Sequence, residues 1–225
     1  RGHSISGLYI VEGSDGTYKY TAFIEVLGGE IKNLVISNTF VDASSAYNSV
    51  IAAAEWLSEG ISNVKIDSNV KIKASGSFGA FICDTGDVTL TNCVSLANII
   101  IDGGRYIGSI VGRAGDEPTF TNCYYTSGPA GVGDNLSSYD ATGMSEVSVA
   151  SHTCIAMEHP KVIASCYAKG STAYTDCMIC GKVLSGTKSL TDYSHGDITY
   201  TAHATDAEKH VATCVDCDQN FEEVH

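Results

Sequence analysis

Basic charge is scarce in this chain. Thirteen Lys and Arg stand against 26 Asp and Glu, for a net charge of −13 over 225 residues, and no basic face is visible. That argues against nucleic acid and an anionic membrane surface as partners. No apolar run is long enough for membrane insertion, and no signal peptide or wall-sorting motif is visible. The chain opens on Arg1-Gly-His3-Ser-Ile5, already inside a repeat, so the expectation is an excised piece of a longer protein. Long amphipathic helical patterns are also missing, and proline is rare (3), whereas glycine is abundant (23). There is no nucleophile elbow and no HExxH helix, and no βαβ pattern surrounds a Cys-x-x-Cys pair. Serine hydrolysis, catalytic zinc and thioredoxin-like redox chemistry therefore have no support.

What is present is a repeat. The phrase Ile31-Lys-Asn33-Leu34-Val-Ile36 returns as Ile61-Ser-Asn63-Val64-Lys-Ile66, as Leu90-Thr-Asn92-Cys93-Val-Ser95 and as Phe120-Thr-Asn122-Cys123-Tyr-Tyr125. A weaker first copy reads Ile5-Ser-Gly7-Leu8-Tyr-Ile10, and the copies lie 26, 30, 29 and 30 residues apart. Self-similarity at that period marks a solenoid. One turn reads as three short strands, 88–94, 98–101 and 106–111, broken by Gly, Asn and Asp. Columns of like residues follow: Phe40, Val70 and Ile99 in the middle strand, then Phe23, Val50, Phe81 and Ile110, with Ile24, Ile51, Ile82 and Val111 beside them. The expected fold is all-β, a right-handed parallel β-helix of four to five turns over residues 1–135. A Gly/Ser-rich linker follows at 136–151, then a Cys/His-rich module at 152–225.

The four Asn read as bends of the coil. Asn tolerates the left-handed conformation, and its amide can bond the same amide one turn away. Cys93 and Cys123 fall in the column of Leu34 and Val64 and read as small buried hydrophobes, with an inter-turn disulfide as the alternative. Residues 44–60 are irregular. Ala52-Ala-Ala-Glu-Trp56-Leu favours helix locally, so a strand through Ile51 and then a bulge or helical turn carrying Trp56 are expected. Asp87 and Asp116 lie 29 residues apart and would stack at one corner. With Asp84 and Glu117 at the same turn ends, they are the carboxylates that would suit a polysaccharide lyase or glycosidase. They sit in turn sequences where Asp is common, however, and Arg105 and Arg113 keep no basic company.

Six of nine Cys and six of seven His fall at or beyond His152. Cys177-Met-Ile-Cys180-Gly181 is a knuckle, with Cys166 eleven residues upstream and His152 or His159 available to complete it. Cys214-Val-Asp-Cys217 is a second, with His210 four residues before it and His225 eight after. Sets of two or three thiolates with His suit tetrahedral structural zinc. Disulfides and unliganded thiols are the alternatives, and the odd Cys count argues against full pairing.

Two resemblances can be named on these residues. Gly2-His3-Ser-Ile-Ser-Gly7-Leu8-Tyr-Ile10, Ile107-Gly-Ser-Ile-Val-Gly112 and Thr121-Asn-Cys-Tyr-Tyr125 resemble the GLUG-type repeats of Gram-positive bacterial surface proteins. The segment from His152-Thr-Cys154 through Cys177-Met-Ile-Cys180 to Cys214-Val-Asp-Cys217 resembles the short Cys/His repeats of large Firmicutes surface proteins. The resemblance implies an extracellular, cell-surface or secreted stalk or adhesin without catalysis, whose partner is a host or cell-wall glycan or protein. It also implies one zinc on Cys166, Cys177, Cys180 and an upstream His such as His152, and a second on His210, Cys214, Cys217 and His225 or an earlier His. Asp218 stands where the repeats carry Gly, and Cys154 is an extra thiol able to displace a His.

Overall fold

The computed structural model describes residues 3–11, 20–44, 46–55, 59–115, 118–126, 128–134, 143–217 and 220–224. It divides into two compact units. One is Gly2–Met157 with Cys177–Gly181; the other is Glu158–Asp176 with Lys182–His225. Among the described residues there is no helix.

The first unit is a parallel β-solenoid of about four turns. Its first sheet holds His3–Ser6, Glu30–Ser37, Gly60–Ile66, the paired segments Thr89–Thr91 and Val94–Ser95, then Thr119–Thr121 and Cys123–Tyr125, and finally Met144–Glu146. The second holds Tyr9–Val11, Phe40–Ala43, Lys71–Ala74 and Asn98–Ile101. The third holds Tyr20–Thr21, Tyr47–Ser49, Ser77–Gly79 and Ile107–Gly108. The fourth holds Ile24–Leu27, Ala52–Glu55, Ile82–Thr85 and Val111–Ala114. Each turn thus has four strands where three were expected, because the run 106–111 breaks at Ser109 and Ile110 to turn a corner. Backbone crowding makes that corner. A Cβ on Gly79 would meet Ile82 O and Gly112 N, and one on Gly108 would meet Val111 O.

The Asn positions are bends. Asn33, Asn63, Asn92 and Asn122 all have positive φ (54°, 52°, 51° and 52°). Asn63 Nδ2 donates to Asn33 Oδ1 at 3.2 Å, Asn92 Nδ2 to Asn63 Oδ1 at 3.0 Å and Asn122 Nδ2 to Asn92 Oδ1 at 3.1 Å. Cys93 and Cys123 are buried free thiols in the core beside them. A shorter second ladder joins Asn69 Nδ2 to Asn38 Oδ1 at 2.8 Å, and Asn38 Nδ2 to Ser6 Oγ at 3.0 Å.

Register differs from three of the expected alignments. Ile5 pairs with Ile36 rather than Ile31, so the first copy of the phrase is displaced and Gly7, at φ 79°, lies beside Asn38. In the second sheet Val41, Ile72 and Ile99 align, and Phe40 falls beside Lys71. At the corner Ile24 and Ile82 pair with Ala52, which places Ile51, not Val50, in line with Phe81 and Ile110. All of Val50, Ile51 and Ala52 are buried, so residue type alone does not fix their register. A slip of one residue would reverse every side chain in an alternating strand.

Ala52–Glu55, helix-favouring by composition, form a strand because pairing to Ile24–Leu27 and Ile82–Thr85 overrides local propensity. Trp56 and Asp116 lie outside the described residues. The segment read as linker contains Met144–Glu146, which extends the first sheet through Cys123↔Met144.

The second unit is antiparallel. Ile198–Ala202, Lys209–Cys214 and Asn220–Val224 form one sheet. Gly170–Ser171 pairs with Leu190–Thr191, and Tyr174 to Asp176 pair with Gly186 to Val183.

Candidate metal centres

Each Cys-x-x-Cys turn follows a strand, Tyr174–Cys177 or Lys209–Cys214. In the solenoid unit Cys177 opens the turn, and Gly181, at φ 73°, closes it by donating its N–H to Cys177 O at 2.8 Å. A left-handed residue there favours glycine. In the second unit Cys214 ends Lys209–Cys214, and Val215 N–H donates to Asp197 O at 2.9 Å.

Around these turns the fold assembles two four-residue groups: His152, Cys154, Cys177 and Cys180, and Cys166, His195, Cys214 and Cys217. Within each, the candidate ligand atoms all lie within 4.8 Å of one another. Cys177 Sγ is 3.3 Å from His152 Nε2, Cys166 Sγ is 3.5 Å from Cys214 Sγ, and Cys217 Sγ is 3.6 Å from His195 Nδ1. A tetrahedron with metal–sulfur bonds near 2.3 Å has ligand–ligand edges of about 3.5–3.8 Å. The donor sets therefore match a tetrahedral ion in size, and three sulfurs with one imidazole match it in chemistry. His152 Nδ1 lies 3.1 Å from Val149 O, the kind of partner that fixes the tautomer presenting Nε2 to a metal.

The electrostatics favour thiolates. Burial raises the Cys177 thiol, but the backbone amides of Cys180, Ile155 and Ile179 and the His152 ring outweigh it and bring it down to about 6. Cys214 is also pushed up by burial. It is brought down to about 6 by the Asp216 amide and then by Cys166, His195 and Cys217. His152 is raised through its bonds to Cys177 and Cys180. Cys154 is raised as well, first by its bond to Cys177 and then by burial. By contrast the core thiol of Cys83, far from either group in sequence, is pushed up to about 12 by burial.

This partition differs from the expected ligand sets. His152, Cys177 and Cys180 come together, with Cys154 as the fourth member. Cys166 belongs with Cys214 and Cys217. Its turn, closed by Ser165 N–H to Ala168 O, is held to the second knuckle by Tyr167 Oη donating to Asp216 O at 2.9 Å. His210 is not in the group. Four residues of extended strand separate it from Cys214, roughly 13 Å at 3.3 Å per residue, and its ring lies edge-on to Tyr200 with centroids 4.8 Å apart. His159 bonds Asp176 at 2.8 Å and stacks on Tyr174. His225 lies outside the described residues. The member missed from sequence is His195. Its only local signal is the glycine after it, Gly196, where a Cβ would strike the Asp216 carboxylate of the knuckle.

Of the carboxylates that could suit a glycosidase, Asp87 is exposed in its turn. Asp84 is the perturbed one: burial raises its carboxyl against the pull of Arg113, 3.9 Å away. No helix among the described residues is long and apolar enough to cross a membrane. No protein-family model, no curated protein and no solved structure matches this chain.

Proposed function

We propose that this chain is a non-catalytic surface segment of a larger extracellular bacterial protein, a β-solenoid stalk or adhesin piece stapled by two structural zinc ions. One observation carries the metal part. Each group supplies four protein ligands, three Cys and one His. Structural zinc takes four protein ligands, whereas catalytic zinc keeps a position for water or substrate. The surface role is supported by the likeness of the repeated phrases to GLUG-type repeats and of the Cys/His segment to Firmicutes surface repeats, and by the acidic composition. The implied partner is a glycan or protein of the host or the cell wall.

Elemental analysis of the full chain, purified without added metal, is the test of the metal part. Two zinc per chain are expected, and a folded, zinc-free protein with disulfides would overturn it. A cleavage screen against plant and host glycans is expected to give no turnover. Reproducible turnover lost in Asp87→Ala would replace the surface role with a carbohydrate-active enzyme.

A further inference from the structure

The outer face of the first sheet changes character along the coil. The position that follows the core residue of each ladder turn is Val35, then Lys65, Val94 and Tyr124. Two residues on, Asp67 N–H bonds Ile36 O and Leu96 N–H bonds Ile66 O, so Asp67 and Leu96 share a column. In the earlier turn Lys65 and Asp67 form an ion pair at 3.7 Å on that face. In the next turn Val94 and Leu96 occupy the same two places and are buried, 0% and 5% exposed.

What covers them is the first knuckle. Val94 and Leu96 belong to a buried apolar cluster with Met157, Met178 and Ile179, separate from the solenoid core, and Tyr124 packs at its edge. Met178 and Ile179 are the two residues between the ligands Cys177 and Cys180. The plug is therefore the tip of the metal loop itself, and Met178 N–H is anchored on Ile155 O at 2.8 Å. The second knuckle has no such plug. Its intervening residues are Val215, 56% exposed, and Asp216.

We propose that the two centres have different tasks. An ion on His152, Cys154, Cys177 and Cys180 holds Met178 and Ile179 in the turn that covers Val94 and Leu96, and so sets the stability of the last solenoid turns. The ion on Cys166, His195, Cys214 and Cys217 orders its own unit only. This rests on the metal reading above. A turn too short to keep a fixed shape alone is ordered by the ion, and the apolar contact then couples that order to the sheet. Such coupling is reciprocal: the ordered strip raises affinity for the ion by the same factor by which the ion favours the ordered strip, so a change at Val94 that loosens the contact weakens ion binding.

The test uses the full chain loaded with Co²⁺, whose visible bands report thiolate-bound tetrahedral sites. Val94→Lys, which places there the residue of the preceding turn, is expected to weaken the first centre about 5- to 150-fold and leave the second unchanged. Met178→Ser, which replaces neither a ligand nor a residue of the sheet, is expected to do the same. Hydrogen exchange supplies the converse. Cys180→Ser should speed exchange of the Val94 and Leu96 amides roughly tenfold or more, and Cys217→Ser should not. If two ions bind and both substitutions leave both affinities at the wild-type value, or if Cys180→Ser leaves those amides protected, the division of tasks is overturned while the metal reading stands. A chain that binds no ion overturns the metal reading itself, and the inference with it.

Discussion

The side-chain amide of Asn92 donates to Asn63 Oδ1 at 3.0 Å across 29 positions of sequence, and both residues have φ near 50°. Asn thus serves twice at one place: it relieves the left-handed backbone and bonds its own copy in the next turn. The two services can be separated. Asn92→Gly keeps the backbone freedom and loses two ladder bonds, one given to Asn63 and one received from Asn122. At a net ~0.5–1.5 kcal/mol each, the expected cost is about 1–3 kcal/mol. Asn92→Ala adds a left-handed penalty of about 1–2 kcal/mol. Urea midpoints at constant m-value would check the order wild type, Gly, Ala.

The corner between the third and fourth sheets predicts a glycine requirement. In Gly79→Ala the new methyl has to enter the space of Ile82 O and Gly112 N, both backbone. Overpacking of that kind costs about 1–3 kcal/mol. The loss should appear in the thermal unfolding of the solenoid, and an unchanged midpoint would contradict so close an approach of the two backbones.

Phe81 is fully buried at the same corner, in line with Ile51 and Ile110. Phe81→Ala is expected to cost about 3–5 kcal/mol through lost burial and the cavity left behind. Val50→Ala removes two methyl groups and is expected to cost less. Urea midpoints at constant m-value check the order.

Histidine substitutions separate the group that the fold assembles from the ligand set expected from sequence. His195→Ala should lower bound zinc from two ions to one, whereas His210→Ala should leave two, because His195 lies in the second group and His210 does not. Elemental analysis of the two variants decides it.

The pH dependence follows from the thiols. Cys177 and Cys214 are brought from 9.0 down to about 6. In the metal-free protein their stabilising effect is therefore fully present above about pH 9 and lost as pH falls through about 6. Metal binding follows the same direction, since protons compete for thiolates. Cys154 is raised, so binding at the first centre near neutrality should also release a proton. A Co²⁺ absorbance titration from pH 8 to 4 should show the bands disappearing on the acid side. Bands unchanged at pH 4 would contradict the thiolate assignment.

The ladder was legible in the sequence because its signal is chemical identity at a fixed period: four Asn, each before a small apolar residue. Register was less legible. At Val50-Ile51-Ala52 three consecutive residues are buried, so an apolar pattern has no polar position to set its phase. The first turn misled for a related reason. Ile5-Ser-Gly7 imitates the bend phrase, but Gly7 lies beside Asn38, a second bend whose ladder is only two rungs long. Both knuckles were visible as Cys-x-x-Cys, and Cys154 stood out as a thiol without a place. The pairing of distant ligands was not, since it depends on antiparallel strands that bring Cys166 and His195 to Cys214. His210 was attractive only by nearness in sequence, and an extended strand carries near neighbours apart.

The candidate ligands of the two groups alternate along the chain: His152 and Cys154, then Cys166, then Cys177 and Cys180, then His195, Cys214 and Cys217. Neither unit is therefore a contiguous stretch that can be cut out. A truncation after Met157 leaves the first centre half its ligands, and a fragment starting at Glu158 carries the other half with nothing to close on. A protease that nicks the backbone between Cys166 and Cys177 would leave Cys166 on one fragment and its three partners on the other, and would split the first centre two and two. With ions in place the fragments would migrate as one particle until a chelator was added.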